Sequence, residues 1–256
     1  MTGITGFAFL DRPLPLAFAH RGGALEAEEN TLEAFEHAAG LGYSHIETDV
    51  QATRDGVAVI FHDAELARMT GRVGAIADLD WSTVSRLRTL GGARLPRLEE
   101  ALAAFPTLYF NIEAKSDAAV GPMADAIRRC GARSRICIGS MRVRRTHRLR
   151  ALLGDDICWS PAHRDVAQLW LAGWGLPIPR PQYPCVQVPP HFHGVPVVTP
   201  RFVAAAHARG LQVHVWTVNS ETEMERLLEL GVDGLMTDRP ALLRTVLQRR
   251  GKFGRV

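Results

Sequence analysis

Short apolar runs and stretches with the period of amphipathic helices alternate from one end of this chain to the other. The runs "LAFAH" (16–20), "HIETDV" (45–50), "LYFNIEA" (108–114), "RICIGS" (135–140), "ICWS" (157–160), "CVQVP" (185–189), "VHVWTV" (213–218) and "GLMTD" (234–238) read as strands. "VAVIFH" (57–62) reads as an extension of the second unit. Between them, "TLEAFEHAAG", "LEEALAAF", "PRFVAAAHARG", "TEMERLLELG" and "PALLRTVLQRR" carry helical periodicity. Asn30 with Glu33, and Ser220 with Glu223, have capping-box spacing. Thr199-Pro200 offers a cap followed by a first-turn proline, and Gly40, Gly210 and Gly231 stand where helices should stop. Strand–helix alternation predicts parallel strands joined by crossover helices. About eight such units in 256 residues predict an α/β fold: one (β/α)8 TIM barrel over residues 1–256, with an open doubly wound sheet as the rival.

Two regions break the rhythm. Residues 63–96 form a long polar insertion after the second strand, expected to cap the site, and residues 173–200 hold eight of the fifteen prolines and predict irregular loops.

Composition narrows the class. A net charge of +3 is too small to imply a nucleic-acid partner. The uncharged stretch near 167–179 is broken by Gly and Pro, so no stable membrane insertion is expected. The N-terminus lacks a signal-peptide pattern, and Cys130, Cys137, Cys158 and Cys185 form no C-x-x-C pair. A cytoplasmic protein is expected, with no zinc site or disulfide framework and no metal partner for the cysteines.

Candidate chemistry gathers at strand ends, where barrel enzymes place it. Glu47 and Asp49, two apart on one strand, share a face, and Glu113 can join them from the next strand. A single strand-end acid would ordinarily pair with Arg21 or Lys115. Three acids together predict an oxygen cage for one hard divalent cation, Mg²⁺ or Ca²⁺. His20 and His62, at two strand ends beside these acids, predict a general acid/base pair. Arg21 and Lys115 suit an anionic phosphate, and Gly22-Gly23 permits close approach to a ligand. Trp216 is a candidate wall of the substrate site, although a strand tryptophan is more often core. The other eight histidines, His191 and His193 among them, are read as ordinary.

Taken together, "AHRGG", "ENT", "ETDVQATRDGVAVIFHD", "NIEAK" and "VWTVN…MERLLELGVDGLMTDRP" resemble the glycerophosphodiester phosphodiesterase family over about residues 17–240. The resemblance implies a (β/α)8 barrel with a small insertion after the second strand. It also implies hydrolysis of a small-molecule glycerophosphodiester to sn-glycerol 3-phosphate and an alcohol. It makes His20 and His62 the acid/base pair, Glu47, Asp49 and Glu113 the metal ligands, and places Arg21 and Lys115 near the phosphate. The chain departs from the family at Glu28, where a proline is usual, and after Asp63, where a Thr-Thr-Asn run is usual. The rivals are a lysophospholipase D, a phosphatidylinositol-specific phospholipase C and a non-catalytic phosphodiester-binding barrel. The first needs an apolar channel, for which Leu66, Met69, Ile76, Leu79 and Trp81 are candidates.

Overall fold

The structure, a computed structural model, describes residues 6–253. Its strands in chain order are β1 (Leu16–His20), β2 (His45–Ala52), β3 (Ala58–Ile60), β4 (Tyr109–Ala114), β5 (Ile136–Gly139), β6 (Cys158–Trp159), β7 (Cys185–Val188), β8 (His191–Phe192), β9 (Val195–Pro196), β10 (Gln212–Val215) and β11 (Gly234–Thr237). Eight of them run parallel in the order β6-β5-β4-β2-β1-β11-β10-β7, a nearly closed barrel with helices between the strands. The sheet stays open between β6 and β7. Two contacts bridge that seam: the Gln187 backbone N–H donates to Ser160 Oγ at 3.0 Å, and Cys185 Sγ lies 3.7 Å from the Trp159 carbonyl.

The apolar runs form these strands because both sheet faces are covered, which removes the alternation of a half-exposed strand. All eight residues of β2 are buried, including His45, Glu47 and Asp49. "VAVIFH" is no extension of β2: β3 turns back and pairs with it antiparallel, Val50 opposite Ile60.

Helix starts follow the chain's chemistry with one shift. Thr31, not Asn30, caps the helix Leu32–Gly40, its hydroxyl accepting the Ala34 amide. That leaves Asn30, in the left-handed region at φ 60°, to turn its side chain inward. Thr199 caps the helix Pro200–His207 as expected. Ser220 precedes the helix Glu221–Glu229 without a side-chain cap bond.

Residues 63–96 fold on themselves. Leu66, Ile76, Val84, Leu87 and Leu95 are buried with Val59 and Phe61, and Met69, Leu79 and Trp81 pack against them. The segment is fastened to the barrel by Glu28, which accepts from Thr89 Oγ1 at 2.5 Å and the Gly91 amide at 2.8 Å. The side chains expected to offer a lipid channel are spent on this small core.

Phe9 and Leu10 plug the N-terminal end of the barrel beside Phe18. There His45 donates from Nε2 to the Phe9 carbonyl at 2.9 Å, accepts at Nδ1 from Ser44 Oγ, and stacks on Tyr109. Burial pushes its pKa down to about 3, the Phe9 carbonyl offsetting only part of that. Above pH ~6.5 the ring is neutral in both folded and unfolded chains. As pH falls from there, the unfolded chain takes up a proton that the folded one refuses, so stability drops. The expected loss attributable to His45 between pH 7 and pH 5 is about 2 kcal/mol. Denaturant unfolding at the two pH values checks it: His45→Asn should lack this part of the wild-type loss. An unchanged difference would assign the acid sensitivity elsewhere.

Candidate active site

Strand register brings the acids together. His20 pairs with Glu47 across β1 and β2, Glu47 with Asn111, and Asp49 with Glu113 across β2 and β4. These residues stand level with or beyond the C-terminal end of β1 and line one cavity of about 850 Å³ with Arg21, His62, Lys115 and Trp216. All eight site residues expected from the sequence therefore share a single cavity.

Glycine shapes the loop after β1. Gly22, at φ 85°, passes so close to the helix Leu32–Gly40 that an added Cβ would come within 2.6 Å of Ala34 Cβ. Its close approach serves packing rather than a ligand. The tight turn lets the Arg21 backbone amide reach Glu47 Oε2 at 3.3 Å.

Both cations are engaged with the acids. Arg21 Nη1 bonds Glu29 Oε1 at 3.0 Å, and its Nε lies 3.3 Å from Asp49 Oδ2. Lys115 Nζ sits 3.5 Å from Asp49 Oδ1 and 3.1 Å from Glu113 Oε2. Burial would push the Lys115 ammonium down, but Asp49 and Glu113 outweigh it and hold its pKa above the ordinary value. Asn30 Nδ2 donates to Asp49 Oδ2 at 3.1 Å and is itself held through Thr48 Oγ1, which donates to its Oδ1.

Glu47 remains the under-neutralised group. Burial, then the adjacent Asp49, drive its carboxyl pKa up to about 8, against the pull of His20 and Arg21. A buried carboxyl beside a second one favours a proton or a cation.

Each histidine is held at Nδ1 by a carboxylate. His20 Nδ1 meets Asp238 Oδ1 at 2.5 Å, and its Nε2 stands 3.6 Å from Glu47 Oε2. Burial alone would lower the His20 pKa; Glu47 and Asp238 reverse this and raise it. Asp238 is fixed in turn by Asn219, whose Nδ2 donates to Oδ2 at 2.7 Å. His62 Nδ1 meets Asp63 Oδ1 at 2.6 Å. Asp63 is held down to about 2, first by its bond from Arg68, which also binds Glu29.

Sequence reasoning missed several of these partners. Asp238 and Asn219 stood in quoted motifs without a role. Asn111 and Gln187, joined by a 3.0 Å bond from Gln187 Nε2 to Asn111 Oδ1, form part of the cavity floor. His163 and His193, read as ordinary, also line the cavity. Its outer wall is apolar and comes from the helix His163–Ala172 and the β8–β9 hairpin: Val166, Trp170, Leu171, Phe192 and Val195. No residue of 63–96 lines it.

Fold and site together give a parallel α/β barrel with two carboxylate-held imidazoles beside buried Glu47 and Asp49 and the partly exposed Glu113. The model of the glycerophosphoryl diester phosphodiesterase family matches residues 20–242. "Probable glycerophosphodiester phosphodiesterase 2" of Mycobacterium tuberculosis is 42% identical, covering 93% of this chain and 92% of the relative. A lysophospholipase D of Homo sapiens is 27% identical over 90% of this chain and 85% of its own length. A phosphodiesterase from Oleispira antarctica, solved in complex with the product sn-glycerol-3-phosphate, superposes with a TM-score of 0.77 at 22% identity, covering 92% and 97% of the two chains. This chain belongs to the glycerophosphoryl diester phosphodiesterase family and is an enzyme of that class. Among the described residues no helix is long and apolar enough to cross a membrane.

Proposed function

We propose that this enzyme hydrolyses glycerophosphodiesters to sn-glycerol 3-phosphate and an alcohol in the cytoplasm. His20 and His62 move the protons, and Glu47, Asp49 and Glu113 hold one divalent cation, Mg²⁺ or Ca²⁺. The observation that carries the reading is the pair of imidazoles, each bonded to a carboxylate through Nδ1, in the cavity that holds the three acids.

The donor set fits a hard cation by its chemistry. All three ligands are carboxylates, and the Glu47 carboxyl, raised to about 8, marks a pair whose negative charge Arg21 and Lys115 leave incompletely balanced. When bound there, such a cation would polarise a phosphate oxygen and ease deprotonation of a nearby hydroxyl or water.

The residues' own work follows from their bonds. With Nδ1–H donated to Asp238 or Asp63, the exchanging atom of each ring is Nε2. One Nε2 takes the proton from the attacking hydroxyl or water, and the other gives one to the departing alcohol. Arg21 and Lys115 supply positive charge where the phosphate gains negative charge. Trp216 and the apolar wall limit water around the substrate.

Asp238→Asn tests the positioning of His20. The amide cannot accept Nδ1–H as a carboxylate does, so kcat should fall about 10²-fold or more with KM little changed. Steady-state kinetics checks this; unchanged kcat would remove Asp238 from the account.

The apolar wall favours a second reading, in which the alcohol side of the substrate carries an acyl chain, as in a lysophospholipase D. Phe192 is 47% exposed and Val195 51% exposed, a rim suited to a lipid tail. Leu171→Glu should then lower turnover of lysophosphatidylcholine about tenfold while sparing glycerophosphocholine. Equal effects on both substrates would confine the enzyme to small diesters.

A further inference from the structure

The open seam of the barrel holds a cluster that the phosphodiesterase reaction does not use. Cys137 on β5 pairs in register with Cys158 on β6, and Cys185 begins β7 across the seam. The three are 0%, 2% and 0% exposed, and their Sγ atoms all lie within 4.8 Å of one another. Among the described residues, this is the set of three or more potential ligand side chains drawn that tightly together. Each of these cysteines is separated from the next by a whole β/α unit in sequence, yet barrel closure makes them neighbours.

A fourth donor lies outside that tight group, next to Cys185. His214 on β10 is fully buried and interacts with the Cys185 thiol. Its Nε2 is bonded to Gln212 Oε1 at 3.1 Å, while its Nδ1 is buried with no hydrogen-bond partner. Barrel interiors are ordinarily filled by branched aliphatic side chains. Here three thiols gather among the apolar side chains, with an imidazole that has an unmet polar atom next to one of them.

We propose that Cys137, Cys158, Cys185 and His214 form a binding site for a thiophilic d¹⁰ cation, Zn²⁺ or Cu⁺, that closes the seam between β6 and β7. Sulfur ligands select such ions over Mg²⁺ and Ca²⁺, and three cysteines with one histidine are a known structural zinc set. A Zn–S bond of about 2.3 Å in a tetrahedral site sets sulfur atoms roughly 3.8 Å apart, within about an ångström of the present arrangement. The ion replaces the thiol protons, which leave to solvent, and its charge offsets part of the negative charge of the buried thiolates. Gln187 ties the cluster to the catalytic floor: its Nε2 lies 3.9 Å from Cys137 Sγ and also bonds Asn111.

Because the cluster is buried, the ion must enter during folding. The full chain is unfolded and refolded with one equivalent of Zn²⁺, of Cu⁺, or of neither, always with excess Mg²⁺ to occupy hard oxygen donors. After gel filtration the retained metal is counted. Wild type and Cys130→Ser, a cysteine outside the cluster, should each keep one ion per chain and melt at a higher temperature than the metal-free protein. Cys137→Ala and Cys185→Ala should keep none. Retention of Zn²⁺ or of Cu⁺ upholds the site and identifies its ion. Should either variant fail to refold, wild type refolded with Co²⁺ provides the second readout, through thiolate-to-cobalt charge-transfer absorption. Wild type that retains no ion and shows no such band, or both alanine variants retaining as much as wild type, overturns the proposal. Neither result depends on glycerophosphodiester turnover.

Discussion

His20→Ala is expected to lower kcat by about 10²–10⁴-fold, the range that a positioned general acid or base supplies. The side chain is fixed from behind by a relay in which Asn219 holds Asp238 and Asp238 holds Nδ1. A water molecule in the vacated space would lack both that orientation and the raised basicity that Glu47 and Asp238 give the ring. His62→Ala should produce a loss of similar order, since its ring is held in the same way by Asp63. The double variant should be little worse than either single one, because residues that act as a unit are not additive. Steady-state kinetics on one glycerophosphodiester decides it. A His20→Ala enzyme within a few-fold of wild type would remove His20 from the proton-transfer pair.

Glu47→Gln should move stability and activity in opposite directions. In metal-free protein the folded pKa of Glu47, about 8, lies above the 4.5 of an unperturbed glutamate. The folded chain thus holds a proton that the unfolded chain releases, and stability declines as pH rises from 4.5 towards 8. Glutamine carries no such proton and escapes the decline. The gain at pH 7 is on the order of 3 kcal/mol, or roughly 5–10 °C in Tm for a chain of this size. Mg²⁺ or Ca²⁺ should raise the Tm of wild type and leave the variant unmoved, since a ligand stabilises only the state that binds it. Activity of the variant should fall by at least about 10²-fold. Thermal melts with chelator and with each cation check both halves. A variant less stable than wild type without metal, yet still shifted by the cations, would contradict the cage.

Features that depend on local periodicity were legible in the sequence. Glu47 and Asp49 share a face because strand side chains alternate, and Glu113 meets Asp49 because the next parallel strand runs in register. The eight strand positions follow from apolar runs set between helical patterns. Features that depend on barrel closure were not legible. Asp238 reaches His20 across 218 residues of chain, and the cysteines converge only once β6 and β7 face each other. Asn30 was hidden by a one-residue ambiguity between two good helix caps, Asn30 and Thr31. The apolar residues of 63–96 were read as available to a lipid because a hydrophobic pattern does not say which way it turns; in the fold they bury one another. The apolar wall arose instead from the helix His163–Ala172, whose apolar residues turn partly to the cavity, and from the hairpin within the proline-rich 173–200, which carries no clear period.

The most direct test of the account is release of sn-glycerol 3-phosphate from glycerophosphocholine, followed by a coupled assay with divalent cation and with chelator. The account predicts release that requires the cation, is restored by Mg²⁺ or Ca²⁺ after chelation, and is lost in both His20→Ala and Glu47→Gln. Release that persists undiminished in chelator, or that survives both substitutions, would contradict it.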